Sequence, residues 1–198
     1  MNNVPLMFQP LYKYAEFNGR SRRSEFWLWV LFRILVGMVL GAGALAWLAP
    51  VLPHVRDQPE LFMPRYFTVW PTVSLINLAL LIPSLAVGVR RLHDINRSGW
   101  WLIMPVVVAI VGVTVFMIVF GIHMFQLISM HPNGSNMSDK EGLSLIFGML
   151  GYMFLFIVLP SLISQIVMLV FYVTEGTRGP NRFGNDPKGH KAVADTFG

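Results

Sequence analysis

The stretch R-R-L-H-D-I-N-R-S-G-W-W, Arg90 to Trp101, stands between two long apolar runs and decides how the chain is read. On its N-terminal side, Arg65 to Arg90 encloses no charged residue; on its C-terminal side, Trp100 to Ile122 is almost wholly apolar. Each run reaches the ~20 residues a helix needs to cross a bilayer. Two more runs of that kind lie further out: Phe26 to Ala49, broken only by Arg33, and Gly142 to Thr174, which is longer than one crossing requires. Pro160 inside the last run predicts a kink, a strong tilt, or an interfacial first turn around Leu143 to Phe147. The runs are continuous rather than alternating, and open sheets cannot cross lipid, so all four read as helices.

Composition agrees. Of 198 residues, 55% are apolar and 13% charged, about half the ~25% charge of soluble domains. The predicted solvent is lipid, and the predicted fold is an all-α integral membrane bundle of four transmembrane helices. Residues 1–25 form an N-terminal segment, 26–173 the transmembrane domain and 174–198 a turn-rich tail. Ala44-Leu45-Ala46 after a basic start resembles a signal-peptide cleavage site, but the run is long and three more follow, so the first helix is read as retained.

Fifteen Lys and Arg stand against ten Asp and Glu. The basic residues sit at the ends of apolar runs rather than along one polar face, which points away from nucleic acid and toward anionic headgroups. The N-terminal segment, the Arg90–Trp101 connection and the tail together carry eleven of them. The other two connections carry three: Arg56, Arg65 and Lys140. By the positive-inside rule both termini and the opening stretch are predicted to be cytoplasmic. With no cysteine, disulfides, thiolate metal sites and cysteine nucleophiles are excluded. No metal or other cofactor is expected, since His93 and His190 are the only histidines on the basic side and His54, His123 and His131 fall on the other.

Polar residues within the runs are few. Ser74 with Asn77, and Ser161 with Ser164 and Gln165, fall at helical spacing on shared faces, as interhelical hydrogen bonds or the lining of a polar path. Thr114 is alone in the third run. Arg33, two turns into the first run, is expected to snorkel toward the interface. Gly37-Met-Val-Leu-Gly41 is a small-xxx-small motif suited to close helix packing, within the bundle or in a homo-oligomer.

Two entries into the membrane look alike: R-S-E-F-W-L (Arg23 to Leu28) and R-S-G-W-W-L (Arg97 to Leu102). Ser24 and Ser98 are expected as N-caps, and Phe26, Trp27, Trp29, Trp100 and Trp101 as an aromatic belt. The arginines oppose the helix dipole at these starts. Helix-end N–H groups with guanidinium make an anion site, so Arg20, Arg23, Ser24, Arg90, Arg91, His93, Asp94, Arg97, Ser98, Gly99 and Arg182 are the candidate ligand-binding set. Orientation signal plus belt anchoring is the simpler account of the same residues. His93-Asp94 invites a general-base pair, but Asp94 bonded to Arg90, Arg91 or an arginine of another segment is the expected arrangement, and no residue is assigned as catalytic. In the tail, T-E-G-T-R-G-P-N-R-F-G-N-D-P (Thr174 to Pro187) reads as successive turns, with Phe183 docked near Arg20 to Glu25 and the opening stretch.

Three segments, F-N-G-R-S-R-R-S-E-F-W (Phe17 to Trp27), R-R-L-H-D-I-N-R-S-G-W-W, and G-T-R-G-P-N-R-F-G-N-D-P (Gly176 to Pro187), resemble the signature blocks of the bacterial inner-membrane family catalogued as domain of unknown function 805. The resemblance implies a small multi-spanning helical protein and no particular activity. Three readings of function follow. The first is a non-enzymatic protein whose basic face binds an anionic group (lipid headgroup or phosphorylated ligand) or a partner protein. The second is a small transporter or channel subunit, suggested by Asn77 and Gln165. The third is an enzyme acting on membrane lipid through His93 and Asp94.

Overall fold

A computed structural model describes residues 4–130 and 138–189; His131, His190 and Lys191, counted above, lie outside them. Among the described residues four helical stretches are long and apolar enough to cross a membrane: Arg23–Leu48, Glu60–Asp94, Gly99–Met130 and Asp139–Val173. No strand is present among them. The chain divides into two compact units. One comprises the described residues of Met1–Gly99 and Thr174–Gly198, the other Trp100–Val173.

The first unit holds a short helix α1 (Gln9–Tyr12), α2 (Arg23–Leu48), a 3-10 turn (Leu52–His54) and α3 (Pro59–Asp94). Cross-helix hydrogen bonds show that α2 and α3 run antiparallel. Trp29 Nε1 donates to Ser84 Oγ at 3.1 Å, Arg33 Nη2 to Asn77 Oδ1 at 3.2 Å, and Arg65 Nη1 to the Trp47 carbonyl at 3.2 Å. In lipid each of these polar groups needs a protein partner, and Arg33 meets one of its donors with Asn77 across the helix pair. Pro83 lies inside α3, and its missing N–H leaves the Ala79 carbonyl without its helical donor. The Tyr14 hydroxyl donates to that carbonyl at 2.6 Å.

Most of the surface of these helices faces outward, as expected where the solvent is lipid. Apart from Val51, the buried apolar residues of the unit gather at one end, with Phe26, Trp29, Ala86, Val87 and Leu92, and buried polar residues Arg20, Glu25, Arg90, Arg91 and Asp94 share it. Phe26 and Trp29 are therefore turned into the protein rather than standing in a belt, whereas Trp27 and Trp100 are exposed. An added Cβ at Gly37 or Gly41 would meet nothing within 4 Å.

In the second unit, α4 (Met104–Met130) packs along α5 (Asp139–Met153), a π-helical turn (Phe154–Val158) and α6 (Leu159–Val173). Ser138 caps α5 in a reciprocal capping box with Glu141. The expected irregularity at Pro160 takes the form of the π turn just before it, because proline cannot donate to the carbonyl of Phe156. Gly112 lets α4 come close there: a Cβ on it would lie 2.2 Å from the Phe156 oxygen. Ser164 is buried and gives its hydroxyl to the Ser161 carbonyl at 2.8 Å, while Gln165 is exposed.

Candidate functional site

The basic end of α3 finishes in a turn that creates acceptors. Asn96 adopts φ +58°, which asparagine tolerates better than most residues. The Asn96 N–H returns to the His93 carbonyl at 3.0 Å and the Arg97 N–H to the Leu92 carbonyl at 2.9 Å. These are the two bonds of a Schellman ending. The last carbonyls of a helix have no donors of their own helix, and here the tail supplies them. Thr177 donates from its N–H and its hydroxyl to the Asp94 carbonyl, at 2.9 and 3.1 Å. Asn181 Nδ2 donates to the His93 carbonyl at 2.9 Å, and Arg182 Nη2 to the Asn96 carbonyl at 3.2 Å.

The tail has turns of its own. Gly179 and Gly184 sit at φ +75° and +135°, where a side chain is strained. Asn181 and Gly184 exchange backbone hydrogen bonds of 3.0 Å, and Asp186 accepts from the Gly179 N–H at 3.1 Å. The carbonyls of Thr177 and Gly179 are thereby aimed at one guanidinium, that of Arg20.

Three arginines lock the N-terminal segment, the α3 end and the tail together. Arg20 donates from Nε to Asp94 Oδ1 at 3.0 Å, from Nη1 to the Gly179 carbonyl at 2.6 Å, and from Nη2 to the Thr177 carbonyl. Arg91 donates to the other Asp94 oxygen at 2.8 Å and to the Thr174 carbonyl. Arg90 donates to Glu25 at 3.1 Å and to the Glu16 carbonyl at 2.9 Å, while its own carbonyl accepts from the Ser21 N–H. All three guanidiniums, with Asp94 and Glu25, are almost wholly buried. Gly176 passes so close to Asp94 that a Cβ would lie 2.1 Å from its carboxylate.

His93 and Asp94 do not face each other. His93 Nδ1 lies 3.1 Å from the Gly19 carbonyl; a carbonyl only accepts, so that nitrogen carries the proton. The imidazole stacks on Phe183, ring centres 3.9 Å apart and planes 3° from parallel. The Arg182 guanidinium lies 4.6 Å from the Phe183 ring centre. The carboxylate that would orient a general base is held by Arg20 and Arg91 instead.

The other expected site residues have different settings. Ser24 is exposed and is the second residue of α2, whose N-cap is Arg22 with no side-chain capping bond; the expected cap is not made, because the helix starts two residues earlier than a Ser24 cap requires. Ser98 immediately precedes the 3-10 turn Gly99–Ile103. A Cβ on Gly99 would lie 2.8 Å from a Val89 methyl, so glycine there allows close passage. Arg97 and Arg182 are exposed. Arg23 is paired with Glu175 at 3.3 Å at the surface. Lys188 also reaches Glu175 at 3.3 Å, and the Lys188 ammonium, then Arg23, hold that carboxyl below its ordinary range.

Sequence reading passed over Glu25, Thr177, Asn181 and the surface residues Arg22, Arg178 and Lys188. Glu25 had a legible signal: a carboxylate inside an entry segment otherwise rich in arginine. Arg20, Arg22, Arg178 and Lys188 line a cavity of about 130 Å³ together with Asp94, Glu175 and Asp186. A second cavity, of about 430 Å³, opens beside it between Leu6, Gln9, Lys13, Arg22 and Pro187. Among the described residues no group of three or more His, Asp or Glu is placed to hold a metal ion.

Four membrane-spanning helices with a folded polar cap on one pair of them define a multi-pass helical membrane protein. Residues 14–130 match the family described as protein of unknown function DUF805, and the chain belongs to that family. It is similar to two inner membrane proteins of Escherichia coli K-12. It is 28% identical to YhaI over 90% of this chain and 91% of the relative, and 26% identical to YhaH over 90% and 92%. No solved structure matches. The protein is thus a multi-pass protein of the bacterial inner membrane.

Proposed function

We propose that this protein is a non-enzymatic membrane protein whose folded cap, on the side that the charge asymmetry makes cytoplasmic, binds a phosphate-bearing anionic group. One observation carries the reading. The buried arginines spend their donors on the chain itself, and this holds a second, surface set of cations around the smaller cavity. Arg22, Arg178 and Lys188 are exposed there, and Arg97 and Arg182 lie on the same cap. Guanidinium groups offer forked donors that match phosphate oxygens, and the phosphate of an anionic lipid or of a soluble ligand meets that chemistry equally. In the original set, Arg20, Arg90, Arg91 and Asp94 then serve as the frame and the outward cations as the binding groups.

Native mass spectrometry of the detergent-purified protein tests it. With phosphatidylglycerol in one arm and inorganic phosphate in the other, the unmodified protein is expected to retain at least one of them. The Arg22→Ala/Arg178→Ala variant is expected to lose that retention. Equal retention by both proteins in both arms sinks the reading, and retention of a co-purifying protein instead would favour a partner-binding face.

A further inference from the structure

Residues 4–17, read from the sequence as lying outside the membrane, have an apolar side that follows the spanning helices downward. Phe8 meets Phe32 edge to face, ring centres 5.5 Å apart. Phe32 is nine residues into α2 from Arg23, about 13 Å along the helix at 1.5 Å per residue. Tyr14 reaches the Ala79 carbonyl, eleven residues before Arg90 and so about 16 Å along α3. A headgroup layer is only about 5–7 Å thick on each side. With the charged ends of α2 and α3 at headgroup level, these contacts fall within the hydrocarbon.

The rest of the segment suits that depth. Pro5 and Pro10 have no N–H to satisfy, Pro10 is buried, and the N–H groups of Phe8, Leu11, Tyr12 and Lys13 are bonded within the turn. The carbonyl of Glu16 accepts from Arg90. Backbone that is not part of a spanning helix persists at membrane depth only when its polar groups are met in this way. Phe8, Leu11 and Tyr12 are exposed, continuous with the exposed Leu31, Ile34, Leu35 and Met38 of α2. Leu6, Gln9 and Lys13 instead line the polar cavity under the tail.

From this two-sidedness we infer that residues 4–17 form an interfacial wedge. Its aromatic side is sunk among the acyl chains of the leaflet that holds the basic end, and Gln9 and Lys13 face the headgroups. The occupant of its exposed face is lipid, as it is for the face of α2 that it continues. An element of this kind anchors at the headgroup–acyl boundary, about 5–10 Å deep. This inference stands apart from any ligand bound by the cap.

The cysteine-free chain makes the test direct. Nitroxide labels on Leu11→Cys and Tyr12→Cys, in phosphatidylethanolamine–phosphatidylglycerol vesicles, are scored by collision with oxygen against a water-soluble nickel chelate. Leu35→Cys supplies the lipid reference and Pro180→Cys the aqueous one. The expected oxygen-to-nickel ratio at both positions matches Leu35→Cys and exceeds Pro180→Cys about tenfold or more, since bringing a polar probe into hydrocarbon costs beyond the 1.4 kcal/mol that tenfold represents. Ratios equal to that of Pro180→Cys, in labelled proteins whose thermal transition is unchanged, overturn the wedge.

Discussion

Arg20, Arg90 and Arg91 on one side, and Arg23, Arg97 and Arg182 on the other, look interchangeable as residues flanking apolar runs. In the folded cap they are opposites. The first three are buried, each spending donors both on a carboxylate and on backbone carbonyls of distant segments. The second three lie toward the surface, and the Arg23–Glu175 pair is about half exposed on both partners. Counting cations by side of the membrane gives both groups the same weight in topology. In the fold their energies differ by the cost of desolvating an ion, which is several kcal/mol inside and near nothing outside.

The interior group can be broken hardest. Asp94→Asn leaves the Arg20 and Arg91 guanidiniums buried beside a neutral amide, and removing one partner of a buried ion pair costs about 3–5 kcal/mol. The expected outcome is release of the tail, read as fast trypsin cleavage after Arg178 and Arg182 that the native protein resists. Gly176→Ala comes next. Its Cβ would intrude on a carboxylate that two arginines hold in place, and overpacking of this kind costs about 1–3 kcal/mol. The same cleavage assay should show an intermediate rate; a native rate would mean that the Gly176 backbone has room to move.

The surface group sets the lower end of the comparison. The Glu175 carboxyl is held below its ordinary range by Lys188 and Arg23. A group depressed on folding contributes stability above its unfolded pKa, near 4.3 for Glu, and loses it as pH falls through the lower folded value. A nitroxide on Pro180→Cys should therefore gain mobility only at acid pH, and Glu175→Gln should shift the neutral-pH spectrum slightly toward that state. A large change in Glu175→Gln at neutral pH would show that the exposed pairs hold the tail as firmly as the buried ones do.

The two membrane entries mark how far local reading reaches. R-S-E-F-W-L and R-S-G-W-W-L look alike as sequence, each with a candidate capping serine and a belt pair. Yet Glu25 of the first turns inward to Arg90, and Ser24 stands two places too late to cap α2. In the second, Gly99 serves close passage against Val89. Which aromatics face lipid was equally out of reach: Trp29 is buried against Ser84, and nothing in its neighbours distinguishes it from Trp27. The docking of Phe183 was legible as a turn-bound aromatic needing a surface, though not that the surface is the His93 ring.

By itself the sequence determined the solvent, the four spans and the family, because hydropathy over some twenty residues is a local sum that needs no knowledge of neighbours in space. The charge asymmetry is local in the same sense and sets the expected orientation. Only the tertiary structure decided that three separated segments make one cap. The partners of Arg20 lie 74 residues away at Asp94 and 159 away at Gly179. A guanidinium is held by whichever acceptors the fold brings within hydrogen-bond reach, and chain order does not specify which those are.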